Sequence, residues 1–271
     1  MENNLKVQTS DKFAAIQTAS LSLFLYPNSL ILFGKDKNQS ITCIHTYEQV
    51  NWNKLDEVLA TDSLAKLDLP AKIYAHEGIF TLIPGVLFQQ GNEKEYLEVA
   101  GKLPSSPVFF NTAVDSNNIQ IVSCIPAKLQ QILSIRFSEF TFYHGASSFL
   151  SYLFKERFNL ISQEIWINLF DNYLYLGGFT DQELSVFNRF EAANKEEVLK
   201  YTLILMESLQ HDRNHARVTL FGATKNNGIT QEWGKEYFAN FRLLQPHSNQ
   251  NYGSGLTQNK APAIFESYWQ P

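Results

Sequence analysis

Two histidines have the spacing of a metal site. His211 and His215 lie four residues apart, which on a helix would place both imidazoles on one face as metal ligands. The intervening residues 212–214, Asp-Arg-Asn, instead indicate the end of a helix, where the helix dipole favours histidine side chains. No third ligand stands at a suitable spacing, so the pattern predicts a helix end and no metal site.

Other residues with chemical potential stand alone. His144-Gly145 ends a predicted strand and precedes a helix, a place where a histidine could face a cleft, although a lone histidine more often makes local hydrogen bonds. Cys43 and Cys124 lie in strand-like apolar segments and are predicted to be small buried hydrophobic residues in a reducing compartment. The sequence has no P-loop, paired-carboxylate motif or nucleophile elbow, so no catalytic residue is predicted.

Composition excludes several classes of protein. The 271 residues are 44% hydrophobic and 14% aromatic, which indicates a packed core. The net charge is -5 and no Lys/Arg cluster is present, which argues against a nucleic-acid partner. No stretch reaches the ~18 to 20 apolar residues of a membrane span.

The N-terminal segment does not have the pattern of a signal peptide. It lacks a basic segment, and residues 20–25 alternate between apolar and polar side chains as a strand does. We therefore expect no signal peptide and a cytoplasmic protein.

One order of elements occurs twice along the chain. Strand patterns at 20–26, 29–34 and 41–47 are followed by a helix at Trp52–Leu67 and a strand at 72–75. The same β-β-β-α-β order returns after Glu164, with strand starts displaced by 143 to 146 residues and a helix from Asn194 to about Gln210. Asn194 and Glu197 form a capping pair for that helix. The repetition predicts an α/β protein of two lobes with mixed sheets, residues 1–160 and 161–245.

The first copy contains additional elements. Between about residues 78 and 133 the patterns predict a helix at 93–100, strands at 108–113 and 119–124, and a helix opened by Pro126. The second copy lacks these elements, so an inserted subdomain in the first lobe is expected.

The order of elements resembles that of a known superfamily. The duplicated β-β-β-α-β unit with an insertion in its first copy resembles the actin-like (ribonuclease H-like) ATPase fold over roughly residues 19–245. The run 119–126 followed by an amphipathic helix, with the strand at 140–143, looks like the type IV pilus assembly protein PilM. The whole chain looks most like a Bacteroidetes family of unknown function with this fold.

The resemblance implies where a nucleotide would bind. Members of the superfamily hold ATP and magnesium with two β-hairpin turns rich in Asp, Gly and hydroxyl residues. Here the first turn, which contains Asn28, has no glycine and no acid. In the second turn Asn168 replaces the acid and Phe170 replaces a glycine, with Asp171 following; Gly222 is the remaining glycine of the adenine-side pair.

These departures lead to two interpretations of function. The first is a non-catalytic actin-like module that binds or scaffolds an unknown protein partner without a cofactor. The alternative is an ATP-binding or ATP-hydrolysing protein that uses the non-standard residues Asn28, Asn168, Asp171 and Gly222, with magnesium.

The tail, residues 246–271, is predicted to be irregular because it lacks periodicity and is rich in Asn, Gln, Ser and Gly. It ends in a cluster of large apolar residues at 264–269. This cluster either folds back onto its own lobe or presents a docking peptide to a partner.

Overall fold

Packing divides the chain into two compact units. The structure, a computed structural model, describes residues 5–222, 224 and 227–271. The first unit is Met1–Ser147 with Gln250–Pro262, and the second is Ser148–Asn249 with Ala263–Pro271. The division at residues 160 and 245 follows the order of elements and not packing, so it stays a prediction.

The first unit is built on a mixed sheet. Its strands are β1 (Leu5–Thr9), β2 (Ser20–Leu25), β3 (Ser29–Lys35), β4 (Ser40–Glu48), β5 (Ala71–Ala75), β6 (Phe80–Pro84), β7 (Pro107–Val114), β8 (Ile119–Pro126) and β9 (Phe140–His144). Its helices are α1 (Leu55–Thr61), α2 (Glu93–Ala100) and α3 (Ala127–Arg136). The main sheet has the order β1-β4-β3-β2-β5-β9, in which β2, β3 and β4 form an antiparallel meander and β5 and β9 run parallel to β2. Leu21, Leu23 and Leu25 alternate along β2 into the core against α1 and α3.

The second unit repeats this topology. Its strands are β10 (Gln163–Phe170), β11 (Tyr173–Thr180), β12 (Glu183–Glu191), β13 (Arg217–Gly222) and β14 (Asn240–Leu243). Its helices are α5 (Lys195–Ser208), α6 (Gln231–Tyr237) and α4 (Ala146–Glu156), of which the first two residues belong to the first unit. The sheet order β12-β11-β10-β13-β14 matches β4-β3-β2-β5-β9 strand for strand. In both units a helix and a further parallel strand follow the β-β-β-α-β unit. The predicted duplication is therefore confirmed, and it extends one helix and one strand further.

The predicted helix Trp52–Leu67 is shorter in the structure. Its α-helical part ends at Thr61, because the buried carboxylate of Asp62 accepts hydrogen bonds at 2.8 Å from the backbone N–H groups two and three residues further on. The second carboxylate oxygen contacts Nδ1 of His45 at 2.5 Å and accepts from the hydroxyl of Tyr47 at 2.6 Å. A polar cluster beneath the sheet thus ends the helix.

The insertion forms a separate small layer. Strands β6, β8 and β7 make a three-stranded sheet that packs with α2 around Leu97, Val122 and Cys124. The helix α3 instead packs its buried face into the main core of the first unit. The layer therefore ends with β8, whereas the sequence pattern assigned the insertion to residues 78–133.

The tail is mostly irregular and folds back in cis. A two-residue strand, β15 (Asn251–Tyr252), pairs in parallel with β4 of the first unit. Within the second unit the ring of Phe265 is 3% exposed and lies among other aromatic rings. These rings belong to Phe149, Tyr152 and Phe221. Of the two interpretations of the tail, the structure supports docking onto the chain itself.

Candidate nucleotide-binding turns

The first candidate turn joins β2 to β3. The backbone N–H of Tyr26 donates to the carbonyl of Ser29 at 3.0 Å, which leaves Pro27-Asn28 as a two-residue turn. The carbonyl of Asn28 accepts a hydrogen bond from the N–H of Val50 at 3.0 Å. The backbone of Asn28 therefore anchors the segment that follows β4.

An aromatic pair fills the base of this turn. Tyr26 is 2% exposed and stacks on the buried imidazole of His76, with ring centroids 4.0 Å apart and an interplanar angle of 15°. His76 directly follows β5, whose parallel pairing with β2 brings it beside Tyr26. Sequence reasoning missed this pair, because no local pattern links residues about fifty positions apart.

The second candidate turn, between β10 and β11, has the same construction. Phe170 immediately precedes the two-residue turn Asp171-Asn172, as Tyr26 precedes its turn in the first unit. Its ring is 4% exposed and lies 4.7 Å from the ring of Tyr175. Asp171 is exposed and has φ of 46°, a conformation that Asp tolerates in hairpin turns. In each unit a buried ring thus stands directly before the turn.

Three of the four candidate residues lie at one end of the second unit's sheet. Asn168 on β10 lies opposite Phe221 on β13, and Gly222 follows one position along. Asn168 is 2% exposed, and its Oδ1 has no hydrogen-bond partner among the described residues. Gly222 has φ of +105°, and a Cβ there would lie 2.1 Å from the carbonyl oxygen of Leu169. The turn with Asp171 closes the same end of β10, whereas Asn28 belongs to the first unit.

A buried ion pair lies at the opposite end of this sheet. Glu164, near the start of β10, is fully buried and pairs with the guanidinium of Arg217 at the start of β13. Burial raises the pKa of Glu164 to about 7, and the nearby guanidinium offsets part of that rise. The pair lies at the other end of β10 from Asp171, so we assign it to folding.

The histidine candidates do not form a metal site in the described part of the chain. The helix α5 ends at Ser208, so His211 and His215 both lie beyond it. His211 contacts the hydroxyl of Thr180 at 3.2 Å, and His215 contacts Oδ2 of Asp212 at 2.9 Å. No group of three potential metal ligands occurs among the described residues.

His144 makes a local hydrogen bond. It is fully buried, and its Nδ1 accepts a hydrogen bond from the N–H of Ala146 at 3.2 Å, at the start of α4.

None of the described helices is both long enough and apolar enough to cross a membrane.

A family model matches most of the chain. The family is described as protein of unknown function (DUF3822), and the match covers residues 12–241. No curated protein gives a significant match.

Solved structures share the fold at low sequence identity. A Bacteroides thetaiotaomicron protein "with actin-like ATPase fold and unknown function" superposes with a TM-score of 0.73 and 15% identity, over 84% of this chain and 91% of that one. A chain of the PilM-PilN type IV pilus biogenesis complex gives a TM-score of 0.55 and 10% identity, over 85% of this chain and 89% of that one. The predicted actin-like fold and the similarity to PilM are confirmed.

Proposed function

We propose that this chain, which belongs to the DUF3822 family, is a non-catalytic actin-like module that binds or scaffolds another protein. The observation that carries the proposal is the buried ring of Phe170 directly before the second hairpin turn. Phosphate groups need closely approaching backbone N–H groups and open space, which glycine provides and a packed phenylalanine does not. The residues of this turn therefore do not fit the phosphates of a nucleotide.

The first turn supports the same conclusion. Pro27 lacks an N–H group, Asn28 carries no charge, and the stacked ring of Tyr26 directly precedes them. Neither Pro27 nor Asn28 offers a carboxylate for the hydration shell of magnesium. We therefore assign no cofactor.

The proposed partner is a protein. PilM, which has a similar fold, is found in a complex with PilN, so this architecture supports protein assembly in at least one case. A net charge of -5 gives no basis for binding nucleic acid. We place the protein in the cytoplasm, where its two buried cysteine residues stay reduced.

Isothermal titration calorimetry with ATP, with and without magnesium, tests the proposal. We expect a Kd no tighter than about 1 mM, corresponding to roughly 4 kcal/mol of binding free energy. A micromolar Kd, or release of phosphate that follows enzyme concentration, would contradict it.

The alternative, an ATP-binding protein with non-standard residues, has one observation in its favour. The unpartnered Oδ1 of Asn168, the carboxylate of Asp171 and the backbone of Gly222 occur at one end of the same sheet. If ATP binds, Asp171→Asn should abolish binding under this alternative. Asp181→Asn is the matched control, since Asp181 holds a similar φ of 49° in the next hairpin turn.

A further inference from the structure

A cavity opens on the main sheet of the first unit, at the end where β2, β5 and β9 begin. Its volume is about 280 Å³. Lys35, at the end of β3, lies opposite Ser20 in the sheet, and Lys72 on β5 lies opposite Ser22. The four side chains line the cavity together with Tyr143 of β9.

The two lysines differ in environment. Lys35 is only 8% exposed, and its Nζ donates to Oε1 of Gln250 at 3.2 Å. Lys72 is exposed at the mouth, with its Nζ 5.6 Å from the centroid of the Tyr143 ring. Burial, with a contribution from Lys72, lowers the pKa of Lys35 to about 8. An anion that binds between these two side chains would be attracted by both ammonium groups.

We propose that this cavity binds the phosphate or carboxylate group of a small anionic molecule between Lys35 and Lys72, with the hydroxyl group of Ser20 as an additional donor. The volume is near the lower end of the range for small-molecule pockets, roughly 300 to 1,000 Å³. Glu139, which is exposed at the mouth, limits how much negative charge the ligand can carry on that side.

This site is separate from the candidate nucleotide-binding turns. It lies where β2 begins, at Ser20, whereas the turn with Asn28 follows the end of β2 at Leu25. The proposal is therefore independent of whether ATP binds.

Calorimetric titrations with inorganic phosphate, pyrophosphate and citrate at constant ionic strength test the site and separate phosphate from carboxylate ligands. We expect at least one probe to bind with a Kd below about 1 mM at pH 7.5, and Lys72→Gln to weaken that binding at least about fivefold. Lys66→Gln, which changes an exposed lysine of the same unit, is the matched control and should leave the Kd unchanged. The absence of binding by all three probes, or equal weakening by both variants, would overturn the proposal.

The pH dependence tests the buried lysine specifically. Citrate stays ionised above pH 7.5, so a weaker complex at higher pH reports on the protein. Lys35 loses its proton as the pH rises through about 8. Among the described residues, the titratable groups that line the cavity with it are Lys72, Glu139 and Tyr143. If only the protonated amine binds the anion, the affinity should fall about 25-fold between pH 7.5 and 9.5. Lys35→Gln, checked for an unchanged melting temperature, should remove most of this dependence, and a wild-type affinity that is constant over this range would refute the role of Lys35.

Discussion

Replacing Phe265 by alanine should destabilise the second unit by about 3 to 5 kcal/mol, the usual cost of truncating a buried phenylalanine. The ring is 3% exposed, and its centroid lies 5.2 Å from that of Phe149, 5.5 Å from that of Tyr152 and 5.8 Å from that of Phe221. Edge-to-face contacts of this kind add to the apolar area that the ring buries. The loss should therefore fall in the upper part of the range for core mutations.

Urea denaturation followed by tryptophan fluorescence, together with thermal melting, measures this loss. For a chain of this size the melting temperature should fall by at least about 6 °C. Phe158→Ala is the matched control, since that ring is 79% exposed and its removal should change the free energy of unfolding by less than about 0.5 kcal/mol. If Phe265→Ala melts within a degree of this control, the end of the tail is not part of the core.

Two further predictions concern the second unit. Burial raises the pKa of Glu164 from 4.5 to about 7, so the stability it contributes is fully present below pH 4.5 and is lost as the pH rises through 7. Between pH 4.5 and 8 the free energy of unfolding should therefore decrease by up to about 3 kcal/mol less in Glu164→Gln than in the wild type. Denaturation curves at both pH values measure this decrease, which the exposed control Glu183→Gln should leave unchanged. Gly222→Ala should lower the free energy of unfolding by about 2 to 4 kcal/mol. The new methyl group would lie 2.1 Å from the carbonyl oxygen of Leu169, and the alanine would also have to adopt a positive φ. Gly91→Ala has a similar φ of +97° with nothing within 4 Å and should cost only about 1 kcal/mol; equal losses in the two variants would show that the close contact has no effect.

Local patterns were sufficient to predict most elements of the fold. The capping pair at the start of α5 is present, with Oδ1 of Asn194 accepting from the N–H of Glu197 at 2.9 Å. Such a cap is encoded within four residues, and strand alternation within six or seven. The repeated order of elements then predicted two lobes with mixed sheets, because a helix that crosses back to a further strand makes that strand parallel to an earlier one.

Contacts between distant segments were beyond these patterns. The helix at 55–61 ends early because Asp62 is held by His45 and Tyr47, which lie on strand β4.

The sequence did contain a signal for the anion-binding cavity. Lys35 alternates with Ile31 and Phe33 along the regular pairing of β3 with β2, and a lysine on a buried face needs an explanation.

The two candidate turns share one packing arrangement. In both units the residue before the two-residue turn is a buried aromatic, Tyr26 in the first and Phe170 in the second. Each ring packs on a neighbouring ring, that of His76 or Tyr175, and so fixes the hairpin by apolar burial. Glycine at these positions would give a phosphate access but would remove that packing, since the two requirements compete for the same space. Because both copies have the packed arrangement, a structural role for the aromatic residue applies to both turns.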